Sequence, residues 1–432
     1  MKSWTRLHVL SAVRWVALFV FAMGLGFIAA ILAGPRTSIA IRSVGLTFLQ
    51  IVSKTATENW FPDRFEHSGV LQYDPARTQP GYTLYTIAPE LSAHLIDMNG
   101  HEVHRWFVSK NQAMPAIDGP STLFGLLEPQ VEGGYLYPNG DLILNYEVRS
   151  LDFPGAPLVK VDKDSHIIWT RAIQSHHAIQ IVGDKIYALT GPVMEPAPPK
   201  PGENVRVLDS NGRTLSSHSI GEAMANTKNM RLLDELSLNP SFDPFHSNSL
   251  DVLTEQTARF IPGSKPGNVL LSLRSLDMLV VMDLERDTIV WALRGSWRWQ
   301  HDAKILPNGH ILLFDNKGGL MKRGRSRVLE IDPNTAGIVW SYDGKENDPL
   351  DSGENRGGAQ RLPNGNTLIN EANAGRLLEV TPDGSIVWEY VNPFQAEERG
   401  KRIIASFGMT ASRYDPSSLP FLGSEKSHAA IR

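Results

Sequence analysis

Gln300-His301-Asp302-Ala303-Lys304-Ile305-Leu306-Pro307-Asn308-Gly309-His310-Ile311-Leu312-Leu313-Phe314-Asp315-Asn316 decides the fold. Two short apolar runs flank Pro-Asn-Gly, and Asn-Gly is a strong hairpin signal because both residues tolerate positive φ. Antiparallel pairing sets the start of the first strand beside the end of the second. His301 and Asp302 are therefore expected next to Asp315 and Asn316, at one end of a hairpin.

The same grammar recurs along the chain. Pro363-Asn364-Gly365 lies between two short runs, Pro138-Asn139-Gly140 precedes Asp141–Leu144, Gly183-Asp184 separates Ala178–Val182 from Ile186–Leu189, and Gly267-Asn268 precedes Val269–Ser272. Most hairpins are followed by a second pair of runs ending in Trp, as at Gly337-Ile338-Val339-Trp340 and Ser385-Ile386-Val387-Trp388. Four strands per unit, at roughly 50 residues per unit, marks a β-propeller. Units are expected from Tyr82, from about Glu132 to Arg171, His176 to Ile220, His246 to Arg294, His301 to Asp343 and Gly358 to Val391, which makes six blades. The first lacks its innermost strand, and Ser406–Ala411 is expected to supply it and close the ring.

A ring of this kind fits a chain of 432 residues as one large domain. The formal net charge of −4 and the lack of a basic run argue against a nucleic-acid partner, since phosphate binding needs a concentrated basic footprint. The absence of cysteine excludes disulfides, iron–sulfur clusters and thiolate catalysis.

Lys2, Arg6, His8 and Arg14 precede a nearly unbroken apolar run, Trp15–Ala33, long enough to cross a bilayer as a helix with its N-terminus in the cytoplasm. A cleaved signal peptide is the rival, but Ile31-Leu32-Ala33 is a poor small-x-small site. Ile39–Val52 suits either an interfacial helix or a helical stem. The expected plan is all-β, a six-bladed propeller behind a single N-terminal transmembrane helix. It comprises a cytoplasmic stub and anchor (1–34), a stem or linker (35–80), the propeller (81–415) and a tail (416–432). The propeller would lie on the periplasmic side of the inner membrane.

Three insertions, Ser109–Gln130, Gly191–Glu203 and Gly221–Phe245, break the period. Insertions in repeat arrays gather on one face, often the binding face, so these either wall a site or are simply long surface loops.

Three successive units carry histidine at the same repeat position, just before the first strand of the hairpin: His176-His177, His246 and His301. First strands line a propeller's axis, so these imidazoles are expected to converge at one mouth of the channel. Arg274, at the end of the partner strand, should lie beside His246, and Asn316 beside His301. A lone histidine at a strand start is more often structural; three in series point to a shared site. Imidazole, guanidinium and amide suit an oxyanion such as sulfate. A neutral imidazole can attack as nucleophile while another moves the proton. Three imidazoles could instead hold zinc, though Arg274 beside them disfavours a second cation.

Gln300–Asn316, His246-Ser247-Asn248-Ser249-Leu250-Asp251 and Gly375–Tyr390 resemble the bacterial arylsulfotransferase family, with similarity over roughly residues 82–415. That resemblance implies a six-bladed periplasmic propeller. It implies transfer of a sulfuryl group from a phenolic sulfate ester to a phenolic acceptor, without the nucleotide donor PAPS and through a sulfohistidine. By motif, His301 is the nucleophile. His246 and His177 bind sulfate oxygens or shuttle the proton, and Arg274 neutralises developing charge. His176, Asn316 and Asp302 are expected to bind substrate. No metal or cofactor is expected. The chain departs from soluble members in its anchor and its lack of a disulfide, and the loop Glu255–Pro266 lies between His246 and Arg274.

Two rivals remain. Trp-ended repeats such as Asp332–Trp340 also resemble quinoprotein motifs, but vicinal cysteines and a Ca²⁺ carboxylate cluster are lacking. A tethered propeller that only binds a ligand or protein is the other, because fold does not imply function.

Overall fold

The computed structural model describes residues 59–113, 129–147, 156–191, 203–227, 244–316 and 325–423. The anchor expected over 1–34 and the stem up to residue 58 lie outside these residues. Among the described residues no helix is long and apolar enough to cross a membrane.

Six antiparallel sheets follow one another along the chain, five of four strands and one of five. The strand nearest the axis in each is Phe407–Tyr414, Gln130–Leu136, Ser175–Val182, Ser247–Val252, His301–Ile305 and Gly358–Arg361. Each of these touches the next in that order, and the last touches the first, so the blades form a closed ring. The first blade has the order Phe407–Tyr414, Tyr82–Ile87, Ser92–Ile96, Glu102–Phe107, with Tyr82 opposite Tyr414. Its innermost strand comes from the C-terminal end, as the missing strand in the first unit required.

The sixth blade gains its fifth strand from Gly69–Tyr73, which pairs with Ile386–Val391. Trp60–Pro62 pairs with Lys401–Ala405. Part of the stretch expected to be a linker therefore belongs to the sheets. Its hydrophobic periodicity is too short to show this: Gly69-Val70-Leu71-Gln72-Tyr73 covers the outer edge of the sixth blade, whose strand Ile386–Val391 lies far away in sequence.

The terminal Trp of a repeat has a defined task. Indole Nε1 of Trp169 donates to Ser210 O at 3.3 Å, Trp340 to Pro382 O at 2.9 Å and Trp388 to Met98 O at 2.9 Å. Each bond joins an outer strand to a turn of the next blade. The apolar core lies between blades for the same reason. One cluster packs Leu312, Phe314 and Val328 of the fifth blade on Ile369, Leu378 and Val380 of the sixth. Another packs Ile143 and Leu158 of the second on Ile186, Ala188 and Leu208 of the third. Each such Leu, Ile, Val or Phe side chain, fully buried, contributes roughly 1.5–3 kcal/mol.

The sheet faces thus leave the ends of the inner strands as the place for polar groups. In the second to fifth blades the inner strand slips register near its start, between Val131 and Gly133, Ser175 and Ile179, Ser247 and Ser249, and His301 and Lys304. The sixth blade's inner strand pairs without a slip. Bulges re-aim side chains, and those of the third to fifth blades lie where the histidines enter.

Candidate functional site

The imidazoles meet at one end of the ring. The His177 ring centroid lies 4.9 Å from that of His246, 6.4 Å from that of His301 and 5.1 Å from that of His176. His176 Nδ1 and His177 Nδ1 are 3.0 Å apart. His301 is completely buried and His177 nearly so, while His176, His246 and Arg274 are half-buried. The backbone N–H of Arg274 donates to His246 O at 3.2 Å, which sets the two side by side as antiparallel pairing demands.

The histidines do not, however, occupy one repeat position. Pairing of the second strand with the third makes Thr190, Leu273 and Asp315 equivalent. Their partners, Ser175, Ser247 and Gln300, are then equivalent, as are His176, Asn248 and His301. His246 falls instead with Gln174 and Trp299, two residues earlier. These three have φ of +46°, +54° and +54°, and His177 and Asp302, one residue beyond the His176 position, have +52° and +50°. A left-handed residue ahead of the strand turns the chain at this rim. Imidazoles from different register positions therefore reach a common place. Non-glycine residues adopt this conformation only when surrounding contacts hold it.

The loop that delivers His301 is pinned at successive residues. The Arg298 N–H donates to Asp315 Oδ1 at 2.9 Å and the Trp299 N–H to Asp277 Oδ1 at 2.8 Å. The buried Gln300 side chain donates to Ser272 Oγ at 3.0 Å and Met278 O at 3.0 Å. Asn248 Nδ2 returns a bond to Gln300 O at 2.8 Å. Gln300 opens the quoted stretch, yet nothing in sequence spacing assigns it this part.

His301 Nδ1 lies 2.9 Å from Trp299 O and 2.8 Å from Asn316 Oδ1. Asn316 Nδ2 donates to Gly353 O at 3.0 Å and Arg356 O at 2.8 Å, which fixes the amide with its oxygen toward the imidazole. With acceptors on both sides, Nδ1 carries the hydrogen and Nε2 is left with its lone pair. Nε2 is buried and has no hydrogen-bond partner among the described residues. Burial, then the Arg274 guanidinium and the neighbouring His246, push the His301 pKa down to about 3, against the opposing pull of Asn316 and the Trp299 carbonyl. Burial and then His246 hold His177 well below the usual imidazole value, with Glu147 pulling the other way.

A run of bonds leads from His301 around the mouth. Beyond Asn316 and the Arg356 carbonyl, Arg356 Nη2 donates to Gln130 Oε1 at 2.7 Å, and Gln130 Nε2 to Glu147 Oε2 at 2.8 Å. Glu147 is the carboxylate that acts on His177. Arg356 stands where the sixth unit lacks a histidine; Gln130 and Glu147 carry no sequence signal.

Two expected substrate-binding residues have other partners. Asp302 Oδ2 accepts the Ala359 N–H at 2.9 Å and Oδ1 pairs with Lys304 Nζ at 2.9 Å, so this carboxylate ties the fifth blade to the sixth. A Cβ on Gly358 would come within 2.6 Å of Asp302 Oδ2, so only glycine admits that contact. Asn316 holds His301, as described, with both ends of its amide. Among the described residues, the group of potential metal ligands with all donor atoms within 4.8 Å is Asp162, Asp164 and His166, exposed on a turn of the second blade. The imidazole cluster does not meet that spacing. By pairing, the described flanks of the insertions at Val108, Gly191 and Phe245 lie at the site's end of their blades. The intervening loops fall outside the described residues.

The arylsulfotransferase (ASST) family model matches residues 213–393. This is narrower than the 82–415 expected. It takes in His246, Arg274, His301, Asp302 and Asn316 but not His176 or His177. No curated protein matches the chain. Among solved structures the chain is similar to a protein of unknown function from Bacteroides caccae, at 12% identity and a TM-score of 0.46, covering 72% of this chain and 94% of that one. It is similar to the WD40 β-propeller domain of Doa1, at 9% identity and a TM-score of 0.42, covering 83% and 99%. It is also similar to streptogramin B lyase, at 11% and 0.35, covering 61% and 69%.

Proposed function

We propose that this chain, arylsulfotransferase-like over residues 213–393, moves a sulfuryl group from an aryl sulfate to a phenolic acceptor through a sulfated histidine. The observation that carries this reading is the setting of His301: a buried imidazole whose Nδ1 lies between the oxygens of Asn316 and Trp299, with Nε2 unpartnered among the described residues.

In the first half-reaction His301 Nε2 attacks sulfur. The N–S bond forms as the S–O(aryl) bond breaks, and the aryl oxide leaves with the electron pair. In the second half, the acceptor's phenolic oxygen attacks sulfur, the N–S bond breaks and the imidazole lone pair is restored. The acceptor's proton must leave and the departing aryl oxide must gain one. We assign that proton to His177 and His246, whose rings are in edge contact at 4.9 Å. Arg274 lies close enough to His301 to depress its pKa, and a guanidinium there offsets charge on the sulfuryl oxygens. Charge in a loose transition state gathers on equatorial and leaving oxygens, so fixed donors supply much of the rate, by analogy with phosphoryl transfer. Asn316 acts through His301, and Asp302 through the blade contact.

The apolar run Trp15–Ala33 supports tethering to the inner membrane with the propeller on the periplasmic side. Protection of the propeller from protease in intact spheroplasts would argue against that side.

The deciding experiment uses para-nitrophenyl sulfate and a phenol. Nitrophenolate release with formation of the new aryl sulfate is expected, along with sulfate on His301 in protein quenched before acceptor is added. His301→Asn should abolish both. A folded protein inert toward a panel of aryl sulfates, with His301 never modified, would favour a propeller that only binds a ligand or partner.

A further inference from the structure

Thr214-Leu215-Ser216-Ser217-His218 forms most of the outermost strand of the third blade, Thr214–Ser219. Ser216 and His218, two residues apart, share one face of it. Ser216 Oγ lies 2.8 Å from His218 Nε2, and His218 Nδ1 lies 2.7 Å from Asp287 Oδ1. A carboxylate can only accept, so Nδ1 carries a hydrogen and the Nε2 lone pair of the neutral ring is turned to the serine hydroxyl. Asp287 belongs to the turn before the outer strand of the fourth blade and stands at φ +46°. The chain that follows His218 holds this turn. Asn226 Nδ2 donates to Asp287 O at 3.1 Å, and the Ile289 N–H donates to Thr227 Oγ1 at 2.8 Å. One stretch, 216–227, thus carries the serine and the imidazole and fixes the carboxylate that orients the ring.

A similar trio occurs in the first blade, where Ser92 Oγ is 2.8 Å from His94 Nε2 and His94 Nδ1 is 2.6 Å from Glu102 Oε2. There serine and histidine are buried, with Tyr85 stacked on the imidazole and Phe394 in edge contact, so that trio is a structural tie. Ser216, His218 and Asp287 are only half-buried. A bulge at Leu215, between the pairs Leu208–Thr214 and Val207–Ser216, sets the position of the serine. Thr214–Ser219 is the last strand of its sheet, so alternate N–H groups face away from the ladder, as an oxyanion needs.

We propose that Ser216, His218 and Asp287 form a second catalytic site, on the rim of the third blade, that hydrolyses carboxylic esters. Ser216 Oγ attacks the acyl carbon as its proton passes to His218 Nε2. The ester C–O bond breaks, and the departing alkoxide takes that proton. Water then attacks the acyl-serine by the same proton route, which releases the acid and restores the hydroxyl. Asp287 is the positioning residue, holding the ring and offsetting its transient charge. The site uses none of the imidazoles at the axis.

A fluorophosphonate applied to the full-length protein tests this. Ser216 Oγ is expected to displace fluoride and keep the phosphonyl group, seen by mass spectrometry on the peptide that contains Ser216. Ser216→Ala should take up none. His218→Gln and Asp287→Asn should each slow labelling by about 10²-fold or more, and Asp287→Glu should recover part of the rate. Hydrolysis of a short para-nitrophenyl ester should fall to the Ser216→Ala level once the protein has been labelled. His301→Asn should label as the wild type does. Wild-type protein without an adduct, an adduct only at another serine such as Ser92, equal labelling in Asp287→Asn, or loss of labelling in a folded His301→Asn would each overturn the proposal. The wild-type adduct decides the matter should a variant fail to fold. Labelling needs no sulfuryl transfer, so a protein inert toward aryl sulfates that is phosphonylated at Ser216 would remove the functional reading above and leave this site standing.

Discussion

Asn316 Oδ1 stands 2.8 Å from His301 Nδ1, and its amide nitrogen is tied to the carbonyls of Gly353 and Arg356 at 3.0 and 2.8 Å. The amide cannot flip without setting two donors against an imidazole and an oxygen against two carbonyls. The tautomer of His301 is therefore decided by backbone of the following blade.

Asn316→Ala should lower single-turnover sulfuryl transfer by about 10²-fold, the usual effect of a misplaced reacting group, and should lower the melting temperature as well, because the carbonyls of Gly353 and Arg356 lose a buried donor. Asn316→Asp should behave differently. A carboxylate favours the charged imidazole, so the His301 pKa rises and the acid limb of the rate profile moves to higher pH. Initial rates across pH for both variants check this.

The His301 pKa of about 3 has a consequence for stability. In the unfolded chain an imidazole titrates near 6.5. Between those values the unfolded state binds the proton and the folded state does not. Stability from this group is thus fully present above about pH 6.5 and is lost as pH falls toward the folded value. His177 is shifted the same way. Melting temperature should fall as pH drops below about 6.5, and His301→Asn should flatten part of that slope. An unchanged slope in the variant would contradict the assigned burial.

Gln300→Leu should destabilise by about 2–3 kcal/mol, because the carbonyl of Met278 and the hydroxyl of Ser272 lose a buried donor. Transfer should slow as well, since the His301 backbone is attached to the same residue. Denaturant titration and kcat on one preparation give both readouts.

Arg413 of the closing strand donates to Glu379 Oε2 of the sixth blade at 3.0 Å, to Thr83 Oγ1 at 2.7 Å and to Gln79 O at 2.6 Å. Arg413→Met leaves the buried Glu379 without its paired guanidinium, with an expected loss of about 3–5 kcal/mol. Adding Glu379→Gln should recover part of it. Equilibrium unfolding of the single and double variants measures the difference.

Much of the architecture was legible because turn chemistry and strand period are local. Pro307-Asn308-Gly309 and Pro363-Asn364-Gly365 place hairpins wherever they occur, and a first unit short of one strand implies that Ser406–Ala411 returns to fill it, as the strand Phe407–Tyr414 does. His301 beside Asn316, and Arg274 beside His246, followed from antiparallel geometry alone. The strand at Gly69–Tyr73 was not legible, since its partner, the outer strand Ile386–Val391, lies at the other end of the chain.

The sequence by itself determined that several imidazoles, a guanidinium and an amide stand at strand ends on one rim, because strand direction alternates with each turn. Only the tertiary structure decided how they meet. His246 is equivalent to Trp299 and His176 to His301, and left-handed residues ahead of the strands bring rings from different register positions together. Backbone dihedrals of that kind, and bonds such as Gln300 to Met278 or Asp302 to Ala359, depend on neighbours set by packing between strands and blades. No local pattern encodes them.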